Sequence, residues 1–420
     1  MRIKAASNGK RRGSKRRPHR LVYICDWLPP DFGAVGQYSL QAATERASRG
    51  QHVLLAGLSS TASSIEHVTC GSGRLTIRRF KCPQYNRADF VRRVLWTLRT
   101  NSRMVARLLP ELAAADEILF TGSPPLLIHL LAPLNILLRK KLTYRITDFH
   151  PECAMAGRET VPLALRLLYR LTLAWRRRVS RFEVLGEDQR RRLLEIGIPR
   201  ERISLKRDTS PMAIAADTLP LPRPADLGRR LVLLYSGNFG YAHDHETFLQ
   251  GYRLHHRRGS GRFGLWLNAV GAKADLVEQA LRADGLPVYR SHPAPLDLLP
   301  RLLVAADAHL ITLRSGFAGF VLPSKVYGCI QSGRPVLFIG STESDIDLLC
   351  REQIPQRYFH VANGRPEDVA AALEDMAHRT WHTGDEVQPG TEQKEEQHSK
   401  MLNADQAVSE AVAREPTVLP

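Results

Sequence analysis

Short apolar runs alternate with helix-like segments along most of the chain, and this alternation limits the folds that the chain can adopt. One series runs from LVYICDW at residues 21–27 to RFEVLG at residues 181–186, and a second runs from RLVLLYSG at residues 230–237 to PVLFIG at residues 335–340. Strands that alternate with helices are typical of βα units, which build parallel sheets. The sequence therefore predicts an α/β protein with two doubly wound, Rossmann-like domains that face each other across a cleft.

The first series contains six predicted strands and four predicted helices. The strands are 21–27, 52–57, 75–80, 117–122, 142–149 and 181–186. The helices are 37–49, 88–109, 124–140 and 162–178. In the second series the first predicted helix is HDHETFLQGYRLHHR, which begins at His243 directly after a glycine-containing turn.

A proline-rich segment, LPLPRPADLG at residues 219–228, separates the two series. Prolines at this density mark a linker. At 420 residues the chain is long enough for two ordinary cores. We predict an N-terminal domain over 21–215, a linker over 216–229 and a C-terminal domain over 230–381.

Both ends of the chain differ in composition from the body. Residues 1–20 hold nine Arg or Lys and no acidic residue, which is half of the formal net charge of +18. Residues 382–420 are polar and hold eight acidic residues against three Lys or Arg. Neither stretch has hydrophobic periodicity, so we predict a disordered basic arm over 1–20 and a disordered polar tail over 382–420.

The six cysteines form no CxxC pair and no cluster with histidines. This argues against a zinc site or a disulfide framework and favours a reducing, cytoplasmic setting. The longest apolar stretch, at residues 126–138, is too short to span a bilayer, and Asp26 interrupts the first apolar run, so neither a transmembrane helix nor a secretory signal is expected. No metal or other cofactor is predicted.

Two segments of the second series point to an anion site. Gly237, Asn238 and Gly240 follow a predicted strand, where glycines let the backbone approach a ligand closely. Ser324 and Lys325 open a second predicted helix, where the helix dipole disfavours a cation unless an anion is bound. The pattern favours a diphosphate in the cleft. A tight turn that needs glycine and a solvated lysine remain the alternatives.

Three stretches resemble the group 1, family 4-like glycosyltransferases. They are SGNFGYAHD at residues 236–244, ADAHLITLRSGFAGFVLPSKVYGCIQSGRPVLFIG at residues 306–340 and DWLPPDFGAVGQYS at residues 26–39. The resemblance covers about residues 21–375. It implies the GT-B fold and the transfer of a sugar, with retention, from a nucleotide diphosphate sugar. It also implies that the N-terminal domain binds the acceptor and that the C-terminal domain binds the nucleotide sugar.

The resemblance also assigns residues to the site. Those that would hold the donor diphosphate or pass beside it are Gly237, Asn238, His243, Pro323, Ser324, Lys325, Gly33 and Gly36. Lys325 would stabilise the charge of the leaving diphosphate. In ITDFHPE, where Asp148, His150 and Glu152 follow a predicted strand, His150 would lie near the transferred sugar; the alternative is that His150 and Glu152 only hold a loop in place.

The sequence departs from the family pattern, and two of the departures concern glutamates of the donor site. Many members carry two glutamates eight residues apart, one for the sugar hydroxyls and one for the ribose. The equivalent positions here are Phe320 and Gly328. Neither side chain can make these contacts, which leaves the identity of the sugar and the ribose contact open.

Basic residues are concentrated in the predicted acceptor domain. Residues 74–107 hold ten Arg or Lys against one acidic residue, and residues 163–182 form a basic segment with large apolar side chains. Arginines beside apolar residues suit an anionic membrane surface and a polyprenyl-linked acceptor. Solvated helix faces are the alternative.

The sequence therefore favours a glycosyltransferase of surface polysaccharide synthesis that acts on a glycan or lipid-linked acceptor at the cytoplasmic face of the membrane. A sugar-nucleotide 2-epimerase on the same fold is the second interpretation. A nucleic-acid-binding protein is the third, since the pI is about 10.0. No nucleic-acid-binding motif is visible, so no specific nucleic-acid partner is expected.

Overall fold

The structure is a computed structural model that describes residues 17–31, 33–83, 90–210 and 212–384. The predicted arm and tail lie almost entirely outside these residues. Residues up to Glu374 form one compact unit, which contains both sheets and is treated below. The described part of the second unit is the end of the last helix, where Arg379 and Asp375 form an ion pair at 2.7 Å.

The first sheet has eight strands in the order β3-β4-β2-β1-β5-β6-β7-β8. All neighbours are parallel except β3, which runs antiparallel to β4. The strands are β1 (Arg20–Trp27), β2 (His52–Ser59), β3 (Ser64–Cys70), β4 (Gly73–Lys81), β5 (Glu117–Thr121), β6 (Lys141–Ile146), β7 (Arg181–Val184) and β8 (Ile203–Leu205). The helices between them are α1 (Ala34–Ser48), α2 (Phe90–Arg107), α3 (Leu109–Ala114), α4 (Ile128–Leu138), α5 (Glu152–Met155), α6 (Leu163–Arg176) and α7 (Glu187–Glu195).

The second sheet has six parallel strands in the order β11-β10-β9-β12-β13-β14. The strands are β9 (Leu231–Asn238), β10 (Phe263–Val270), β11 (Val288–Ser291), β12 (Ala308–Thr312), β13 (Val336–Ile339) and β14 (Tyr358–Val361). The helices are α8 (Glu246–Arg258), α9 (Ala272–Ala283), α10 (Leu299–Ala305), α11 (Lys325–Gln331), α12 (Asp345–Gln353) and α13 (Pro366–Gly384). The predicted α/β fold with two parallel-sheet domains is confirmed.

Burial explains which elements the sequence revealed. Strand β12 is buried at all five positions, and β9 is buried from Val232 to Tyr235, because helices cover both faces of a parallel sheet. Such strands read as continuous apolar runs. Strand β3 was not predicted, because most of its side chains are exposed and its sequence, SIEHVTC, carries no such run.

Helix α8 begins later than predicted, at Glu246 instead of His243. The Asp244 carboxylate accepts hydrogen bonds from the backbone N–H of Thr247, at 3.0 Å, and from its hydroxyl, at 2.6 Å. A carboxylate that binds the first free N–H groups of a helix fixes its start. The segment from Phe239 to His245 is therefore the loop that joins β9 to α8.

Two buried carboxylates join the two sheet domains. Asp345, at the start of α12, accepts a hydrogen bond from the backbone N–H of Glu187, at the start of α7, at 2.9 Å. In return Asp188 accepts from the N–H of Asp345, at 3.1 Å. Arg207 donates two hydrogen bonds to Asp345, at 2.9 and 3.0 Å. Each helix start is thus capped by a carboxylate from the other domain, which is favourable at both positive helix ends.

A buried ion pair holds the segment that follows β6. The side chain of Arg176, on α6, is fully buried, and its Nη2 donates to Glu152 Oε2 at 3.0 Å and to the His150 carbonyl at 3.1 Å. Arg176 Nη1 also donates to Glu152. The pair satisfies two charges that would otherwise be costly to bury.

We expect Arg176→Met to destabilise the protein by about 3 to 5 kcal/mol, because it leaves the buried Glu152 carboxylate without its partner. The neighbouring Arg177 is exposed and provides a matched control, Arg177→Met. Denaturant unfolding, followed by circular dichroism, measures the free energy of unfolding of both variants. Equal midpoints for the two variants would show that the pair contributes little.

Candidate functional site

A cavity of about 430 Å³ lies between the carboxyl ends of strands from both sheets. Strands β1 and β6 contribute one wall, and β9 with the loop before α11 contributes the other. This is the place where ligands bind in open parallel sheets. The predicted residues that line it are Gly33, Gly36, Gly237, Asn238, His243, Pro323, Ser324 and Lys325.

Lys325 lines this cavity, and its Nζ atom is buried although the residue as a whole is half-buried. Its Nζ has no hydrogen-bond partner among the described residues and lies 3.3 Å from the centroid of the Tyr235 ring. Burial lowers the pKa of Lys325 to about 7, and a small opposing effect comes from Cys329, one turn along the same helix. The contact with the ring face favours the charged form but does not replace water or a counter-ion.

The last residues of β9 lie close to this lysine. Gly237 has φ +112°, in the region that favours glycine, and a Cβ built at this position would lie 3.9 Å from Lys325 Cε. Asn238 follows directly at the end of the strand. The structure therefore brings together the two segments that the sequence assigned to one anion site.

His243 lies beside Lys325 but carries no charge. Its Nδ1 is 2.5 Å from the Thr312 carbonyl, which can only accept, so Nδ1 carries the proton. Burial and the nearby Lys325 lower the pKa of His243 to about 3. The imidazole is neutral near pH 7 and gives an anion no positive charge.

Acidic side chains lie on the opposite wall. Asp26, at the end of β1, accepts a hydrogen bond from the Ser123 hydroxyl, and Asp148 follows β6. Burial and the Asp26 carboxylate raise the pKa of Asp148 to about 6. Arg145 also lines the cavity but is held by Asp208 and by Glu183.

Sequence reasoning named Asp148 only as a member of ITDFHPE and missed Asp26, Arg145 and Asp208. The only available signal was their place near the carboxyl ends of apolar runs. The ion pair between Arg145 and Asp208 joins positions that are distant in the sequence, which no local pattern reveals.

His150 is not among the described residues that line the cavity. Its carbonyl and the Glu152 carboxylate are both bound by Arg176, as described above. The contacts of Glu152 thus fit the alternative interpretation, in which it holds a loop in place. A role for the His150 ring near a transferred sugar stays a prediction.

The described residues contain no group of three or more His, Cys, Asp or Glu side chains that could hold a metal ion. The expectation that the protein needs no metal stays a prediction.

Three solved structures share this fold. Sucrose-phosphate synthase from Thermosynechococcus elongatus has a TM-score of 0.61 at 12% identity, with 86% of this chain and 90% of that chain covered. HepE from Anabaena, in complex with UDP and glucose, has a TM-score of 0.59 at 11% identity, covering 86% and 91%. WaaG, a glycosyltransferase involved in lipopolysaccharide biosynthesis, has a TM-score of 0.54 at 15% identity, covering 85% and 90%. These likenesses show the GT-B fold, with two Rossmann-like domains on either side of a cleft.

Neither a known protein-family profile nor a curated protein sequence gives a significant match to this chain.

We expect Lys325→Met to raise the melting temperature, because it removes an amine that folding transfers away from water. The folded pKa of about 7 lies below the ordinary value of 10.5, so the unfolded state binds more protons between these values. The destabilisation by Lys325 is therefore largest below about pH 7 and shrinks as the pH rises towards 10.5. Calorimetry across this range measures the difference, with the exposed Lys81→Met as control; a difference that does not change with pH would contradict the assignment.

Proposed function

We propose that the cavity binds a nucleotide diphosphate sugar and that the protein is a group 1, retaining glycosyltransferase. The observation that carries this proposal is the buried ammonium of Lys325, which has no anionic partner in the described part of the chain and lines a cavity between two Rossmann-like domains. A solved structure with this fold contains UDP and glucose.

A diphosphate supplies what the cavity lacks on this wall. Its oxygens accept charge-assisted hydrogen bonds from Lys325 Nζ, and the lack of a side chain at Gly237 allows close approach of the backbone. A buried cation is costly until an anion compensates it. As the glycosidic bond breaks, negative charge grows on the leaving diphosphate, and a fixed ammonium stabilises that charge.

We expect Lys325→Met to weaken binding of a sugar nucleotide about tenfold or more, while Lys81→Met has no effect.

In the wild type, affinity should fall about tenfold for each pH unit above about 7, because binding requires the protonated amine. His243, Cys329 and Tyr235 do not titrate in this range, since the pKa of His243 is lowered to about 3, that of Cys329 is raised to about 12, and that of Tyr235 is raised well above 10. Calorimetric titration measures the dissociation constants for the variants, and for the wild type at each pH. The ligands are UDP-glucose, UDP-N-acetylglucosamine, GDP-mannose and dTDP-glucose.

The absence of binding to every one of these sugar nucleotides by the wild-type protein would contradict the proposed function. Incubation of a bound sugar nucleotide without an acceptor separates the two enzyme classes. A transferase leaves the sugar configuration unchanged, whereas a 2-epimerase converts it.

We further propose that the acceptor is a lipid-linked glycan and that the protein binds the inner face of an anionic membrane. Helix α4 packs against α2 and α6. Large apolar side chains on these three helices face solvent, and we call them the apolar helix face: Leu95, Leu98, Ile136, Leu137, Leu163, Leu167 and Leu171. Such a face beside arginines suits an interface with anionic lipids.

Helix α6 is the best candidate for the contact with lipid. Leu163, Leu167 and Leu171 are spaced four residues apart and form one stripe, and Arg166 and Arg170 are exposed beside it. By contrast, two of the three arginines of β4 are held by acidic residues, since Arg78 and Arg79 form ion pairs with Glu111 and Glu66. No helix in the described ranges is long and apolar enough to cross a bilayer.

We expect Leu167→Gln combined with Leu171→Gln to reduce partition onto vesicles of phosphatidylglycerol and phosphatidylethanolamine about tenfold or more. These leucines are 53% and 47% exposed, and Leu276 on α9 is also 47% exposed, so Leu276→Gln is the control. Binding should weaken at high salt. Co-sedimentation measures it, and a wild type that stays in the supernatant would contradict the membrane proposal.

A further inference from the structure

Among the described residues, the C-terminal domain offers no carboxylate to the cavity. Gly328, which lines it, has no side chain, and Phe320 is not among the described lining residues. The Phe320 ring packs instead on the core of the N-terminal domain, 6.1 Å from the Phe149 ring. The Arg192 guanidinium lies 4.9 Å from the Phe320 ring centroid. The residue at the position where relatives carry a sugar-binding glutamate is thus used for packing between domains.

The loop around Phe320 positions the segment after β6. The backbone N–H of Phe149 donates to the Phe320 carbonyl at 2.9 Å, and Asp148 forms an isolated antiparallel bridge with Val321. These contacts fix the backbone of Asp148 at the wall of the cavity. The loop around Phe320, which belongs to the C-terminal domain, therefore influences this wall of the cavity through its main chain.

All carboxylates among the described lining residues come from the first sheet domain: Asp26, Asp148 and Asp208. Asp208 is paired with Arg145. The Asp148 carboxylate, by contrast, forms no hydrogen bond or ion pair with the described residues. The adjacent Thr147 Oγ1 is buried and also lacks a partner.

The charges of the cavity favour one orientation of a ligand that has an anionic and a neutral part. A diphosphate is attracted by Lys325 and repelled by the carboxylates of Asp26 and Asp148. Sugar hydroxyls are neutral donors, and a carboxylate accepts short, strong hydrogen bonds from them. Each part of a sugar nucleotide thus has a wall of matching chemistry.

We propose that Asp148, together with Asp26 and the Thr147 hydroxyl, binds hydroxyl groups of the transferred sugar and thereby determines which sugar the protein accepts. The inference rests on the proposed function, since it places the sugar of the same donor. It moves hydroxyl recognition from the C-terminal domain, where Phe320 lies, to the N-terminal domain. A site that pairs buried polar groups with a substrate hydroxyl discriminates strongly against sugars that lack it.

The test compares a sugar nucleotide with its free nucleoside diphosphate. Asp148→Asn should weaken binding of the best of the four sugar nucleotides named above about tenfold or more, because a hydrogen bond to a charged acceptor is lost. It should leave binding of the matching UDP, GDP or dTDP unchanged or tighter, because it removes a negative charge from the cavity. Calorimetric titration gives both dissociation constants.

Phe320→Leu is the matched control and should leave the ratio of the two dissociation constants within about twofold of the wild type, since this side chain packs away from the cavity. A uniform effect of Asp148→Asn on both ligands, or none on either, would overturn the inference while leaving the donor site intact. A shift of the ratio in Phe320→Leu but not in Asp148→Asn would also overturn it. Failure of the wild type to bind any nucleotide would instead overturn the proposed function and, with it, this inference.

Discussion

The organisation of the cavity depends on a single amine, which is removed from water without a counter-ion in the described part of the chain. Lys325 Nζ lies on the face of Tyr235 and beside the Gly237 turn, and neither group compensates a full charge. Position 237 needs a residue that tolerates a positive φ, and the neighbouring His243 stays neutral because burial and the amine both disfavour its charged form. The local sequence is thus arranged around an ammonium that is stable only when an anion joins it.

The remainder of the structure holds the two walls of the cavity in position. Asp188 and Asp345 cap each other's helices across the domain boundary, and the Phe320 loop pairs with the backbone of Asp148. These contacts connect elements that supply opposite kinds of chemistry, a cation on one wall and carboxylates on the other. The charge separation is therefore a property of both domains together.

The sequence allowed the fold to be predicted because parallel strands covered on both faces read as apolar runs, of which β12 is an example. The turn at Gly237 and the helix start at Lys325 were also recognisable, since glycine and a misplaced cation are local signals. Asp26 and Asp148 were not recognisable as a pair, because they lie at the ends of β1 and β6, far apart in the chain. Strand β3 was missed because it is exposed, and the predicted domain boundaries stay predictions.

The depressed pKa of Lys325 also determines how the empty cavity behaves in a cell. Above about pH 7 the neutral amine predominates, so binding of an anion beside Lys325 is coupled to the uptake of a proton. The cost of this uptake is compensated more easily by a ligand that makes further contacts in the cavity than by chloride or inorganic phosphate. The cavity can therefore discriminate against abundant small anions that a permanently charged arginine would retain.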